Sequence, residues 1–299
     1  MNWNDETEAA VLSLARATAT AQLRIECDGE TLLDYVAHAD PVDVYAVQKG
    51  LVSILCGIAE DKFLFDVSDN VNHHLAPEWT RLSPWDEAKL TIEILLQMTT
   101  GMDDELAPLG VIGETWRYNN VAYNYLKRLL AEQSGLSLPE LTRDWLTAPL
   151  GMTQTTWQDR PQQLPDGRHL TGLLSTADDL AKLGRAVLGK GGGLVSEHYV
   201  ERMLAPSSSE NPAWGLCWWR NDQSHFRVPM REQRVREGRL IPAAPTDLVA
   251  ARGAGENGLY VVPGERLVVA RTAMPRSPND ERPEPFERPF WEAMSVAIG

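Results

Sequence analysis

Two hairpin signatures stand at opposite ends of this 299-residue chain, and one sheet shared by both ends would bury their apolar residues together. Near the start, Ala21 to Cys27 and Thr31 to Val36 read as strands joined by Asp28-Gly29, a dipeptide that accepts the positive φ angles of a tight turn. Near the end, Leu259 to Val262 and Leu267 to Arg271 flank the turn signal Pro263-Gly264. Beyond them Phe290, Met294 and Ile298 recur every fourth residue, so Phe286 to Ile298 is expected to be a helix closing over that sheet. Between roughly 60 and 170 the strand patterns fade and helical ones recur, at Thr91 to Met98, Ala122 to Gln133 and Leu138 to Leu146. The expected class is therefore α+β. Residues 1–60 and 170–299 would form an antiparallel sheet flanked by helices, residues 61–169 an inserted all-helical lobe, and the cleft between them the natural site.

Composition narrows the function. With 42 acidic against 28 basic residues, a net charge of −14, the chain is a poor partner for nucleic acid or an anionic membrane. No apolar run is long enough to span a bilayer, and Met1 to Glu8 lacks the pattern of a signal peptide, so the expected location is cytoplasmic. Cys27, Cys56 and Cys217 are too widely spaced for a metal motif and odd in number, so they are expected to be free thiols. His73 and His74 are adjacent and point apart, which argues against a zinc site; neither metal nor cofactor is expected.

The residues that can carry chemistry lie at three places. Val47, Leu51, Ile54, Leu55 and Ile58 form a helical stripe, predicting a helix with one face in a core and with position 46 and Lys49 one turn apart at its start. Trp116-Arg117-Tyr118-Asn119-Asn120 precedes a second helix. Ala251-Arg252-Gly253, just before the last hairpin, is expected on a strand. In this order the segments resemble the serine β-lactamase and penicillin-binding-protein superfamily, class C β-lactamases and their esterase and amidase relatives in particular. Leu95 to Met102 and Gly172 to Leu180 resemble further stretches of that superfamily, and Ser175 or Thr176 followed by Asp178 and Asp179 is a sound helix start in its own right.

The resemblance implies a β-lactamase-like fold and hydrolysis through an acyl-enzyme, with no cofactor. It makes Ala46 the nucleophile position of a Ser-x-x-Lys motif, Lys49 and Tyr118 the proton-transfer pair, and Asn120, Arg252 and Gly253 substrate-binding positions. The amides of Ala46 and Ala254 become the oxyanion hole. Two departures stand out. The strand element reads Ala251-Arg252-Gly253, without the cationic or hydroxylic residue that meets a β-lactam carboxylate, and Arg252 should face away from the side that Ala251 faces. Position 46 is alanine, which has no lone pair to attack a carbonyl, and no other Ser-x-x-Lys occurs.

The expected parent activity is cleavage of a small ester or amide, the chain itself being inactive or nearly so. An engineered serine-to-alanine change fits the retention of Lys49, Tyr118 and Asn120; the alternative is a natural pseudoenzyme acting as a ligand-binding or scaffold protein. Arg227, Arg231, Arg234, Arg236 and Arg239 read either as a solvated loop paired with Glu232 and Glu237 or as an anion-attracting loop at the cleft mouth. Trp214, Trp218 and Trp219 read as core or as the wall of an acyl pocket.

Overall fold

The computed structural model describes residues 1–229, 233–275 and 285–298. In chain order the first lobe begins with α1 (Asp5–Ala17), β1 (Thr20–Cys27), β2 (Glu30–Val36), β3 (Val42–Asp43) and α2 (Gln48–Asp61). A helical stretch follows: α3 (Pro84–Glu87), α4 (Ile92–Gln97), α5 (Asn120–Ser134), α6 (Leu138–Thr142) and α7 (Ala148–Leu150). Then come β4 (Thr156–Gln163), β5 (His169–Ser175), α8 (Ala177–Leu188), α9 (Glu197–Leu204), β6 (Trp219–Arg220), β7 (His225–Arg227) and β8 (Val235–Glu237). The chain ends with β9 (Val249–Arg252), β10 (Gly258–Val262), β11 (Leu267–Ala273) and α10 (Glu287–Ile298).

Both end hairpins form, and they join. The main sheet runs β2-β1-β11-β10-β9-β6 with every pair antiparallel. Asp28 and Gly29 hold φ of 53° and 85°, the turn geometry that the dipeptide suggests. Helix α8 packs across β1, β10 and β11, its N-terminus capped by the Thr176 side chain accepting from Asp179 N. On the other flank α1 packs against α10, and the Asn2 amide donates to the Ala297 carbonyl at 2.6 Å. The α+β expectation holds.

Two elements depart from it. Residues 61–169 are not wholly helical, because β4 lies within them and pairs with β5 in a sheet of order β3-β5-β4. Its sequence, TWQDRPQQ, is polar and mostly exposed, as suits an edge strand, and so lacks the alternation that marks a half-buried one. Helix α2, expected to bury one face, is instead buried at every residue from Gln48 to Ala59. It runs between α5 and α9 on one side and β9 on the other. Where α2 meets β9, Gly50 allows the approach: a Cβ there would stand 2.9 Å from the Ala251 Cβ and 3.0 Å from the Trp218 ring. One hydrophobic core passes through both lobes and carries the α2 N-terminus to the cleft. Among the described residues no helix is long and apolar enough to cross a membrane.

Candidate active site

Position 46 is held by its neighbours' backbone. Val42 and Asp43 pair with Ser175 and Leu174, and the Val44 amide donates to Leu173 O at 3.0 Å, fixing the approach to α2. Tyr45 then takes a φ of 51°, a left-handed conformation that costs an L residue energy and survives only where its surroundings impose it. The Asp43 carboxylate accepts from the Tyr45 amide at 2.8 Å and from Arg160 in β4 at 2.8 and 2.7 Å. Arg160 in turn lies 5.3 Å from the Tyr45 ring. After this turn Ala46 stands at the cavity wall and Lys49 one turn further on, as the helical spacing requires.

Tyr118 and Asn120 arrive through a helix cap. The Asn119 side chain accepts from the amides of Val121 and Ala122, both at 2.9 Å, and donates to Met102 O and Asp103 O. That pins the start of α5, while Gln233 accepts from the Tyr118 amide at 2.9 Å. Lys49 Nζ donates to Asn120 Oδ1 at 2.7 Å and lies 4.7 Å from the Tyr118 ring centre and 4.3 Å from that of Tyr123. Trp214 packs edge-on against Tyr118, with centroids 5.8 Å apart.

Burial sets the protonation of this group. It pulls the Lys49 ammonium down to about 7, and the Arg160 charge adds to the shift. Burial raises the Tyr118 phenol above its ordinary value. Burial thus favours a neutral Lys49 amine near pH 7 beside a protonated Tyr118 phenol, not an ammonium beside a phenolate.

The third element falls opposite. Gly253 follows β9 so near the α2 entrance that a Cβ on it would stand 2.3 Å from Val44 O and 3.1 Å from Ala46 N. Glycine is thus what lets the backbones of 253–254 and 44–46 lie side by side. Ala251 faces α2, and Arg252 faces α10, with its Nε donating to Glu287 Oε1 at 2.7 Å and its terminal nitrogen to Glu287 Oε2. The Tyr260 hydroxyl also donates to Glu287 Oε1, at 2.8 Å. Arg252 lines the cavity, but with its charge matched by Glu287.

These residues border one cavity of about 620 Å³, lined by Ala46, Lys49, Tyr118, Asn120, Arg252, Gly253 and Ala254. The seven positions that the resemblance marks as catalytic, oxyanion-hole or substrate-binding thus come together there. Trp219 also lines it, whereas Trp214 and Trp218 are core residues that donate to Leu96 O and Gly50 O. The arginine-rich segment does reach the mouth, as the β7-β8 hairpin and its flanks, but turns Phe226, Val228, Pro229 and Leu240 towards the cavity. Arg227 pairs with Glu210 rather than Glu237, and Arg231 and Glu232 lie outside the described residues. Cys56 and Cys217 are buried free thiols, and Cys27 is partly exposed.

Sequence reasoning passes over Lys127, Arg160 and Glu287. Lys127 is buried on α5 one turn after Tyr123, and donates to Gln48 Oε1 and to the Thr171 carbonyl and hydroxyl at 3.0 and 2.8 Å. Gln48 bonds Tyr45 O at 3.0 Å, so Lys127 braces the turn that carries position 46. Its four-residue spacing from Tyr123 is the available signal.

A sequence profile described as Beta-lactamase matches residues 35–286. The chain belongs to the beta-lactamase family. A Bacteroides dorei protein provisionally described as a beta-lactamase shares the fold with a TM-score of 0.73 and 14% identity, over 100% of this chain and 98% of that one. A beta-lactamase from Mycobacterium bovis gives 0.70 and 18%, over 96% and 97% of the two chains. A D-stereospecific amidohydrolase from Streptomyces gives 0.69 and 14%, over 95% and 97%. At these identities the likeness is one of fold. No curated protein matches by sequence. Membership in the beta-lactamase family makes this the fold of serine hydrolases and penicillin-binding-protein homologues.

Proposed function

We propose that the cleft is an acyl-transfer site for a small ester or amide, disabled in this chain by the alanine at position 46. The reading rests on one observation: a buried lysine, one turn from position 46, bonded to Asn120 at 2.7 Å and stacked on Tyr118. With serine at 46, Lys49 would accept the hydroxyl proton as the oxygen attacks the carbonyl carbon. The amides of residues 46 and 254 would receive the oxyanion, and the Lys49–Tyr118 pair would return a proton to the leaving group before water releases the acyl chain. Ala46 supplies neither electron pair nor proton, so a ligand would bind and stay intact. The two guanidiniums on the wall, Arg160 and Arg252, are matched by Asp43 and Glu287, which favours an uncharged acyl group over an anionic one. The amidohydrolase among the structural neighbours supports amides as one substrate class.

The test is hydrolysis of p-nitrophenyl acetate and butyrate by this chain and by Ala46→Ser, with intact-mass detection of an acyl adduct. A gain of about a thousand-fold or more with the adduct at residue 46 is the expected result. Binding without turnover in both proteins would instead favour a natural ligand-binding protein, and a source gene with alanine at codon 46 would exclude an engineered change.

A further inference from the structure

Six lysines occur in the sequence, and Lys49 differs from the other five. Lys89, Lys182 and Lys190 each pair with a carboxylate at the surface, and Lys62 is exposed beside the Trp145 ring. Lys127 is buried behind Gln48 and Thr171, with those two residues as its hydrogen-bond partners. Lys49 alone of the six borders the cavity, and no carboxylate among the described residues pairs with it; its acceptor is the neutral Asn120 amide. The groups facing it are the ring of Tyr118 just before α5, the ring of Tyr123 on α5, the Cys217 thiol, and the charges of Arg160 on β4 and Lys127 on α5. None is an anion near neutral pH, since burial pushes the Cys217 thiol up to about 12. Beyond the amine, Leu170, Trp219, Phe226, Val228, Pro229 and Leu240 give the cavity an apolar wall.

We propose that Lys49 is an amine nucleophile in its own right, forming a reversible imine with an apolar aldehyde held in this cavity. With alanine at 46 there is no serine hydroxyl beside Lys49 to compete for a bound carbonyl carbon. The lone pair on Nζ forms the C–N bond as the carbonyl π pair moves to oxygen, and a proton passes from nitrogen to that oxygen to give the carbinolamine. The C–O bond then breaks, nitrogen supplies the C=N pair and loses its second proton, and one water leaves; nothing is oxidised or reduced. The depressed basicity of Lys49 keeps a large fraction of it unprotonated at neutral pH, where an ordinary surface lysine is uncharged in only about one molecule in a few thousand.

The proposal is independent of the ester-hydrolysis reading, which is tested on Ala46→Ser. Here the unaltered full chain is treated near pH 7.5 with hexanal or benzaldehyde and sodium cyanoborohydride, and the reduced adducts are located by proteolysis and mass spectrometry. The expected result is labelling of Lys49 at least about tenfold faster than of the Met1 amine or any other lysine, saturating with aldehyde and accelerating through about pH 7. The preference should vanish in denaturing urea and in Lys49→Arg. Labelling confined to Met1 and surface lysines, or a Lys49 rate that urea leaves unchanged, overturns it; because the site is mapped on the unaltered chain, the outcome does not depend on whether Lys49→Arg folds.

Discussion

Gly253 and Val44 touch through bare backbone: a Cβ on Gly253 would stand 2.3 Å from the Val44 carbonyl oxygen. Gly253→Ala should therefore force the end of β9 away from the α2 entrance, at a cost of about 1–3 kcal/mol measurable by urea denaturation. In an Ala46→Ser background the same change should lower kcat for p-nitrophenyl esters by about a hundredfold, since the amides of 46 and 254 would no longer converge on one oxygen. Lost stability with unchanged kcat would remove those amides from the oxyanion role.

Lys49 makes stability depend on pH in a direction opposite to that of a paired lysine. Its ordinary value of 10.5 falls to about 7 in the fold, so between these limits the unfolded chain binds more protons and stability rises with pH. Lys49→Met removes that dependence. The variant should be more stable than the parent at pH 6, and its advantage should shrink by up to about 1.4 kcal/mol per pH unit between pH 7 and 10. Burial depresses Lys127 in the same direction, but it is present in both proteins. Thermal melts across this range decide the matter: an advantage that grew with pH would mean that Lys49 is a stabilised cation.

Arg252 and Glu287 stand or fall together. Arg252→Met leaves the Glu287 carboxylate, 13% exposed, without its cation and should cost about 3–5 kcal/mol. Adding Glu287→Gln removes the stranded charge and keeps an acceptor for Tyr260, so the double variant should recover most of the loss in urea melts. A double variant no better than the single one would show that the burden lies elsewhere than in the unpaired carboxylate.

Local chemistry is legible wherever a few adjacent residues decide it. Asp28-Gly29 announces its turn, Phe290, Met294 and Ile298 announce the closing helix, and the spacing from position 46 to Lys49 is a helical turn by arithmetic. The approach of Tyr118 and Asn120 to Lys49 comes from the resemblance, because nothing local connects residues 71 positions apart. The bond from Arg160 to Asp43 spans 117 positions and leaves no trace in the pattern. Helix α1 escapes notice although Val11 and Ala15 recur at helical spacing, and β4 does so because an exposed polar edge strand containing Pro161 has no apolar alternation to read. The protonation of Lys49 and Tyr118 depends on burial, which belongs to the folded state alone.

The bond from Asn2 to Ala297, with α1 packed on α10, brings the two ends of the described chain together beside the main sheet. Residues 2 and 297, far apart in sequence, are thus neighbours in space. Joined by a short linker at this seam and opened instead at the turn of Gly191 to Gly193, where three successive glycines hold positive φ, a circularly permuted chain would keep every strand beside its present neighbours.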